Sequence, residues 1–283
     1  MFLPDIPDQE LAAFLADDAG RGDLTTHLLA IGLLPGTMHL AARQVMVAAC
    51  CEEAERLLRM AGCTVERTAS SGERLNAGAP ILTARGSAGA IHRGWKVAQN
   101  LVEIASGIAT NTRQIVDAAW TVRPVISVVC TRKTVPGAKL LSVKAIMAGG
   151  ASPHRLGLAE TILVFAEHRA FLQGEAPDSV VARLKAAAPE KKVMVEVANV
   201  ADALLWSRAG ADVIQVDKLP PSGIEELARL LADLPHRPVV SAAGGINERN
   251  AADYARAGAD VLVTSAPYTA RPADVAVTIE VTG

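Results

Sequence analysis

The sequence predicts an α/β fold whose C-terminal part is a parallel-stranded barrel with fewer than the usual eight units. Three observations predict it. Six short apolar runs, 125–130, 162–165, 193–197, 213–216, 239–242 and 261–264, follow one another after about residue 121. They are predominantly apolar rather than alternating, as expected of parallel strands buried on both faces. Amphipathic helical stretches separate them. Finally, Ala209-Gly210-Ala211-Asp212-Val213-Ile214 is repeated as Ala257-Gly258-Ala259-Asp260-Val261-Leu262. In each copy a helix ends at glycine and a buried strand follows at once, which is the αβ joint of a βα-barrel. A doubly wound open sheet is the alternative. The absence of a GxGxxG turn after any strand weakens it.

Taken in chain order, residues 1 to about 110 mix helix and strand irregularly. A first helix follows Asp8, with Leu11, Phe14 and Leu15 on one face, and ends near Gly20. Strands are expected over 37–49, 64–68 and 80–85, with a helix over 51–61 among them. A long helical stretch runs from Ala88 to about Trp120, and Gly107 should split it into two helices. In the barrel part, Ser222 and Glu225 form a capping-box pattern ahead of Leu227, Leu230 and Leu231. Asp178 is placed to cap the helix carrying Val181 and Leu184.

The composition bounds the partners. The chain has 283 residues, a formal charge of −2 with both signs interspersed, and only 3% aromatic residues. No electrostatic footprint for nucleic acid or anionic lipid follows, and a base-stacking surface is not expected. No apolar run approaches the roughly 18 residues that span a bilayer. The acidic N-terminus, MFLPDIPDQE, has no basic segment leading into an apolar stretch, so no signal peptide is read and a cytoplasmic location is expected. Cys50, Cys51, Cys63 and Cys130 show no CxxC spacing and no zinc pattern. They read as buried, reduced thiols.

In βα-barrels the chemistry collects at the C-terminal ends of the strands. The first run is followed by Thr131-Arg132-Lys133-Thr134-Val135-Pro136-Gly137, two cations beside hydroxyls on a loop closed by Pro-Gly. Arginine offers a bidentate fork and lysine a point charge to phosphate or carboxylate oxygens. The third run ends in Glu196 and the fourth in Asp217. A carboxylate at the end of a buried run needs a cation or a metal, so these two read either as Mg²⁺ and ribose ligands or as structural ion pairs with Arg132 or Lys218. The fifth run leads into Gly244-Gly245, where backbone N–H groups at a helix N-terminus could approach a phosphate. His154 and Arg155, in a Gly/Pro-rich segment between the first two runs, add a second cationic point. Cations, carboxylates and a glycine turn on one rim suit transfer between a phosphorylated sugar and an acidic acceptor.

At these residues the chain resembles the quinolinate phosphoribosyltransferase (nicotinate-nucleotide pyrophosphorylase) family. The resemblance covers nearly the whole length and rests on 18–26, Ser106-Gly107-Ile108-Ala109-Thr110, the Thr131–Gly137 loop and His154-Arg155-Leu156-Gly157. More narrowly the chain looks like the ModD group, relatives encoded with molybdate transport systems. The resemblance implies an N-terminal α/β sandwich over 1–112, joined by the tail 272–283, and a six-stranded α/β barrel over 113–271. It implies a homodimer or larger homo-oligomer with shared active sites, and a reaction of phosphoribosyl pyrophosphate with quinolinate that uses Mg²⁺ and gives nicotinate mononucleotide, pyrophosphate and CO₂. Carried over by motif, Arg132, Arg155 and His154 hold substrate carboxylates and Lys133 contacts the phosphosugar. Glu196 and Asp217 hold Mg²⁺ and ribose, Gly244 and Gly245 hold the 5′-phosphate, and Lys96 stands where a partner subunit donates an arginine. The chain departs from the family pattern at Phe165, where a substrate-binding lysine is usual. It also departs at Ala198 for glutamate, Lys218 for asparagine, Ala243 for serine and Lys96 for arginine. These departures leave open a transferase with a different acceptor, or a non-catalytic anion-binding protein associated with molybdate transport.

Overall fold

The computed structural model describes residues 3–282. In chain order the elements are α1 (Asp8–Ala19), α2 (Leu24–Leu28), β1 (Pro35–Ala42), β2 (Met46–Val47), α3 (Cys51–Met60), β3 (Thr64–Arg67), β4 (Arg74–Leu75), β5 (Pro80–Ser87) and α4 (Ala88–Trp120). Then come β6 (Ser127–Cys130), α5 (Lys139–Ala148), β7 (Ser152–Pro153), β8 (Ile162–Val164), α6 (Ala166–Arg169), α7 (Pro177–Ala187), β9 (Val193–Val197) and α8 (Val200–Arg208). The chain finishes with β10 (Val213–Asp217), α9 (Pro221–Leu231), β11 (Val239–Ala243), α10 (Ala251–Arg256), β12 (Val261–Thr264), a 3₁₀ turn (Ala266–Thr269) and β13 (Val275–Val281).

The chain divides into two compact units. The first comprises Met1–Arg113, Thr134–Gly150 and Pro267–Gly283. Its four-stranded sheet has the order β13-β1-β5-β3, all antiparallel. Leu40, Leu57, Leu58, Ile81, Leu82, Ile91 and Val102 are fully buried in the core that this sheet shares with α3 and α4. The C-terminal tail returns to the unit as β13, paired along β1 from Gly36↔Val281 to Ala42↔Val275. Strand 37–49 of the sequence reading is in fact two strands, β1 and β2, with a break at 43–45.

Helix α5 groups with this first unit, whereas the sequence boundary at residue 113 assigned it to the barrel. The physical reason is a buried ion pair. Lys144 Nζ lies 2.6 Å from Glu53 Oε1 and 3.3 Å from Glu52 Oε2, with Glu53 fully buried. Burial works against the ammonium, but the bond to Glu53 and the two carboxylate charges outweigh it and raise the Lys144 pKa. Charges so placed hold only if paired.

Helix α4 runs unbroken through Gly107 for 33 residues, so the expected split does not occur. Gly107 is there for close approach instead. A Cβ at this position would stand 2.3 Å from the Arg271 carbonyl oxygen and 2.9 Å from Pro272 Cα. The neighbouring motif residues are structural too: Ser106 Oγ accepts the Ala49 N–H (3.0 Å) and Thr110 Oγ1 the Val47 N–H (2.9 Å). They satisfy backbone donors at β2 that no ladder partner takes up.

The second unit comprises Gln114–Lys133 and Ala151–Ala266. Its seven strands are all parallel, in the order β7-β6-β12-β11-β10-β9-β8. Six are the expected runs. The seventh, β7, has only two residues and too little apolar sequence to be read as a strand. The repeat forms two equivalent joints. The Asp212 N–H donates to Val193 O at the foot of β9 (2.9 Å), and its carboxylate accepts the Val193 N–H at 2.7 Å. Asp260 does the same with Val240 on β11, at 2.9 Å.

Two expected caps are absent. α7 and α9 both begin on proline, Pro177 and Pro221, so Asp178 and Ser222 lie inside the first turn rather than at the cap. Proline fixes φ for helix entry and needs no N–H partner there, and this sets the start two residues earlier than a cap at Asp178 or Ser222 would.

Candidate active site

The strand register of the barrel unit builds the site. Gln215 lies opposite Glu196 on β9 and Ser241 on β11, and Asp217 is two residues further along β10 on the same face. Alternation of side chains along a strand therefore turns Glu196, Gln215 and Asp217 toward one space. That space is a cavity of about 740 Å³. Arg132, Lys133, His154, Arg155, Phe165, Glu196, Asp217, Gly244 and Gly245 all line it, so nine of the sequence-derived site residues come together. Lys96 does not. It sits on α4 in the first unit, bonded to Gln99 Oε1 at 2.8 Å and stacked over Trp95 at 4.1 Å.

The cationic wall comes from the loops after β6 and β7. Thr131 N–H donates to Thr264 O (2.9 Å) and His154 N–H to Cys130 O (2.8 Å), which anchors both loops to strand ends. Arg155 is only 8% exposed. Burial lowers its pKa, and the positive charge of Arg132 adds to this. Burial also lowers the His154 pKa, with Arg155 adding to it against the opposing Gln215 side chain. The imidazole is therefore neutral at neutral pH, and its Nε2 is buried without a hydrogen-bond partner.

The acidic wall is Glu196 and Asp217. Gln215 Nε2 donates to Glu196 Oε2 at 2.5 Å. Burial raises the Glu196 pKa, and the Asp217 and Glu167 carboxylates add to it, while the Gln215 bond and Lys133 oppose them. Two carboxylates turned to one space are a fitting pair for a divalent cation. Among the described residues no group of three or more His, Cys, Asp or Glu could hold a metal alone. The pair thus fits Mg²⁺, which commonly takes one or two protein carboxylates and fills its other positions with water and substrate phosphate.

The Gly244-Gly245 segment was expected at a helix N-terminus, but α10 begins only at Ala251. It is instead a turn with φ of +89° and +77°, pinned by the Asn247 and Asn250 amides, which both donate to Gly245 O at 3.0 Å. Lys218, at φ +59°, packs on this turn. Its N–H donates to Ala243 O (2.8 Å) and its ammonium lies 3.9 Å from Asp217 Oδ2.

Phe165 closes the cavity beside Arg155, whose guanidinium carbon lies 5.7 Å from the ring centre. The ring stacks on His168 at 5.8 Å, and the His168 ring accepts the Phe165 N–H at 3.0 Å. Cys130 is buried and its thiol pKa is pushed up to about 12, so it packs rather than reacts. Gln215 and Glu167 also line the cavity and were missed in the sequence. Gln215 was discoverable as the one amide in an otherwise apolar strand. Glu167 carries no such signal.

The comparisons with known proteins agree with this geometry. The family described as quinolinate phosphoribosyl transferase matches through its N-terminal domain over residues 23–106 and its C-terminal domain over 108–278. A Rhodobacter capsulatus protein bearing the name pyrophosphorylase ModD is 46% identical over 260 residues, covering 91% of this chain and 98% of the relative. A Methanothermobacter thermautotrophicus protein named as a carboxylating nicotinate-nucleotide pyrophosphorylase is 32% identical, covering 87% of this chain and 88% of its own length. The crystal structure of NadC from Streptococcus pyogenes superposes with a TM-score of 0.88 at 25% identity, covering 99% of this chain and all of that one. The chain belongs to the quinolinate phosphoribosyltransferase family and is an enzyme of the phosphoribosyltransferase type.

Proposed function

We propose that the enzyme transfers the phosphoribosyl group of phosphoribosyl pyrophosphate to the nitrogen of an aromatic acid and releases pyrophosphate. The observation that carries this reading is one cavity with a paired-guanidinium wall, Arg132 and Arg155, and a paired-carboxylate wall, Glu196 and Asp217. The guanidiniums suit the carboxylate of the acceptor. Lys133, Lys218 and the Gly244-Gly245 turn suit the phosphates of the sugar. As the nitrogen lone pair forms its bond to C1 of the ribose, the C1–O bond breaks and pyrophosphate leaves with the electron pair. Positive charge develops on the ribose, and the fixed carboxylates stabilise it electrostatically. Glu196 and Asp217 would hold Mg²⁺, which when bound neutralises charge on the departing pyrophosphate. The relatives' names support quinolinate as acceptor, with nicotinate mononucleotide and CO₂ as further products. A second reading, a more apolar acceptor, is favoured by Phe165.

The test is pyrophosphate release by purified protein with Mg²⁺ and phosphoribosyl pyrophosphate, with and without quinolinate. Acceptor-dependent release that is lost in Glu196→Ala supports the transferase reading; unchanged release in that variant refutes the role of the carboxylate. The reading includes a homodimer or larger homo-oligomer in which Lys96 of one copy serves the cavity of another. Mixing Lys96→Ala with Glu196→Ala protein should then restore part of the activity that each lacks alone.

A further inference from the structure

The cavity also carries information about its acceptor. Arg132 and Arg155 both line the cavity, and Arg155 is buried in its wall. Of the other cations on the cavity, Lys218 stands 3.9 Å from Asp217 Oδ2, above the glycine turn. Phe165 presents an aromatic ring 5.7 Å from the Arg155 guanidinium, and Leu163 lies buried alongside on β8. Two neutral polar groups complete that side, His154 with a buried, unbonded Nε2 and Gln215 with a buried, unbonded Oε1.

A second acceptor carboxylate in this region would meet a ring face, an apolar side chain and neutral dipoles. A desolvated carboxylate without a cation is strongly disfavoured. A flat aromatic ring, in contrast, would stack on Phe165 while its single carboxylate meets the paired guanidiniums.

We propose that the acceptor is a planar aromatic acid with a single carboxylate, stacked on Phe165 and anchored by Arg132 and Arg155, so that transfer proceeds without release of CO₂. This rests on the transferase reading above and narrows it. The atoms balance without decarboxylation: the ring nitrogen gains the C1 bond, pyrophosphate takes the electron pair of the broken C1–O bond, and the carboxylate stays on the product.

The experiment uses the full chain with Mg²⁺ and phosphoribosyl pyrophosphate and a charge series of probes: quinolinate with two carboxylates, nicotinate with one, nicotinamide with none. Pyrophosphate and CO₂ are measured together, and acceptor binding is followed by calorimetry. The expected result is a preference for nicotinate over quinolinate of at least about tenfold in kcat/KM, with no CO₂. Where turnover is slow, the same order is expected in Kd. Phe165→Lys should reverse the order by adding a cation beside Arg155. Quinolinate preferred by the unaltered enzyme, with CO₂ equal to pyrophosphate, overturns the proposal, as does nicotinamide matching nicotinate or binding of phosphoribosyl pyrophosphate with no affinity for any monoacid. Failure to bind phosphoribosyl pyrophosphate at all instead removes the transferase reading beneath it.

Discussion

Replacing Gly244 with alanine should damage the site more than its small size suggests. At φ +89° the new Cβ would stand 2.6 Å from Lys218 N, 2.6 Å from Lys218 Cγ and 2.7 Å from Asp217 Oδ1. Ordinary contact begins near 3.4 Å, so the backbone nitrogen must retreat by about 0.8 Å and the carboxylate by about 0.7 Å. The left-handed conformation alone costs an L-residue about 1–2 kcal/mol. Stretching the Lys218 N–H bond to Ala243 O adds roughly 1 kcal/mol. The sum, about 2–3 kcal/mol, lowers Tm by about 4–12 °C for a domain of this size. Moving Asp217 by most of an ångström should cost about ten- to a hundredfold in kcat, since a 1 Å misplacement can cost ~10²-fold. Gly245→Ala is the control for folding. Its φ is +77°, but nothing lies within 4 Å of its Cβ, so only the conformational strain remains. Melting curves and pyrophosphate-release kinetics read both effects. If Gly244→Ala melts no lower than Gly245→Ala and keeps kcat within twofold, the steric argument fails.

Other substitutions test separate parts of the molecule. Glu196 has a raised pKa in the folded state, so its favourable contribution is complete only below the unfolded carboxylate pKa and is lost as pH rises through the folded value. Glu196→Gln should therefore melt higher than the parent at pH 7 to 8 while losing most turnover, and the advantage should vanish near pH 4; a constant difference across that range would contradict the linkage. Lys144→Met strands the fully buried Glu53 and should cost about 3–5 kcal/mol in denaturant unfolding, whereas Glu53→Leu/Lys144→Met should recover most of it. Equal losses in the single and double variants would show that packing, not charge, matters there. Gly107→Ala gains about 1 kcal/mol of helix propensity, yet drives a Cβ onto the Arg271 carbonyl; a net loss of about 1–3 kcal/mol is expected, and stabilisation would refute the close approach.

Much of the site was legible because its signals are local. Glu196 and Asp217 close apolar runs, and the strand period carries both to one face. The Thr131–Gly137 segment, His154-Arg155 and Gly244-Gly245 each follow a strand run or fall in a glycine-rich connection, and the lining of the cavity contains all of their named site residues. Phe165 was legible only through the family resemblance, as the ring standing where a substrate-binding lysine is usual. The misreadings share a different cause. Gly107 looked like a helix break because glycine's usual meaning is local, but its reason lies at Arg271, far along the chain. Ser222 and Asp178 looked like caps, and prolines one residue earlier took the helix start.

The sequence by itself determined which segments form strands and helices, the repeated aspartate joints of the barrel and the chemical inventory of its rim, because periodicity, apolarity and residue type act over a few neighbouring residues. Only the tertiary structure decided that Gln215 grips Glu196, that Arg132 and Arg155 line the same cavity, that α5 joins the first unit through Lys144 and Glu53, and that Lys96 is not part of the cavity's lining. Those outcomes depend on distances between residues remote in the chain, and strand order and long-range packing set such distances, not local pattern.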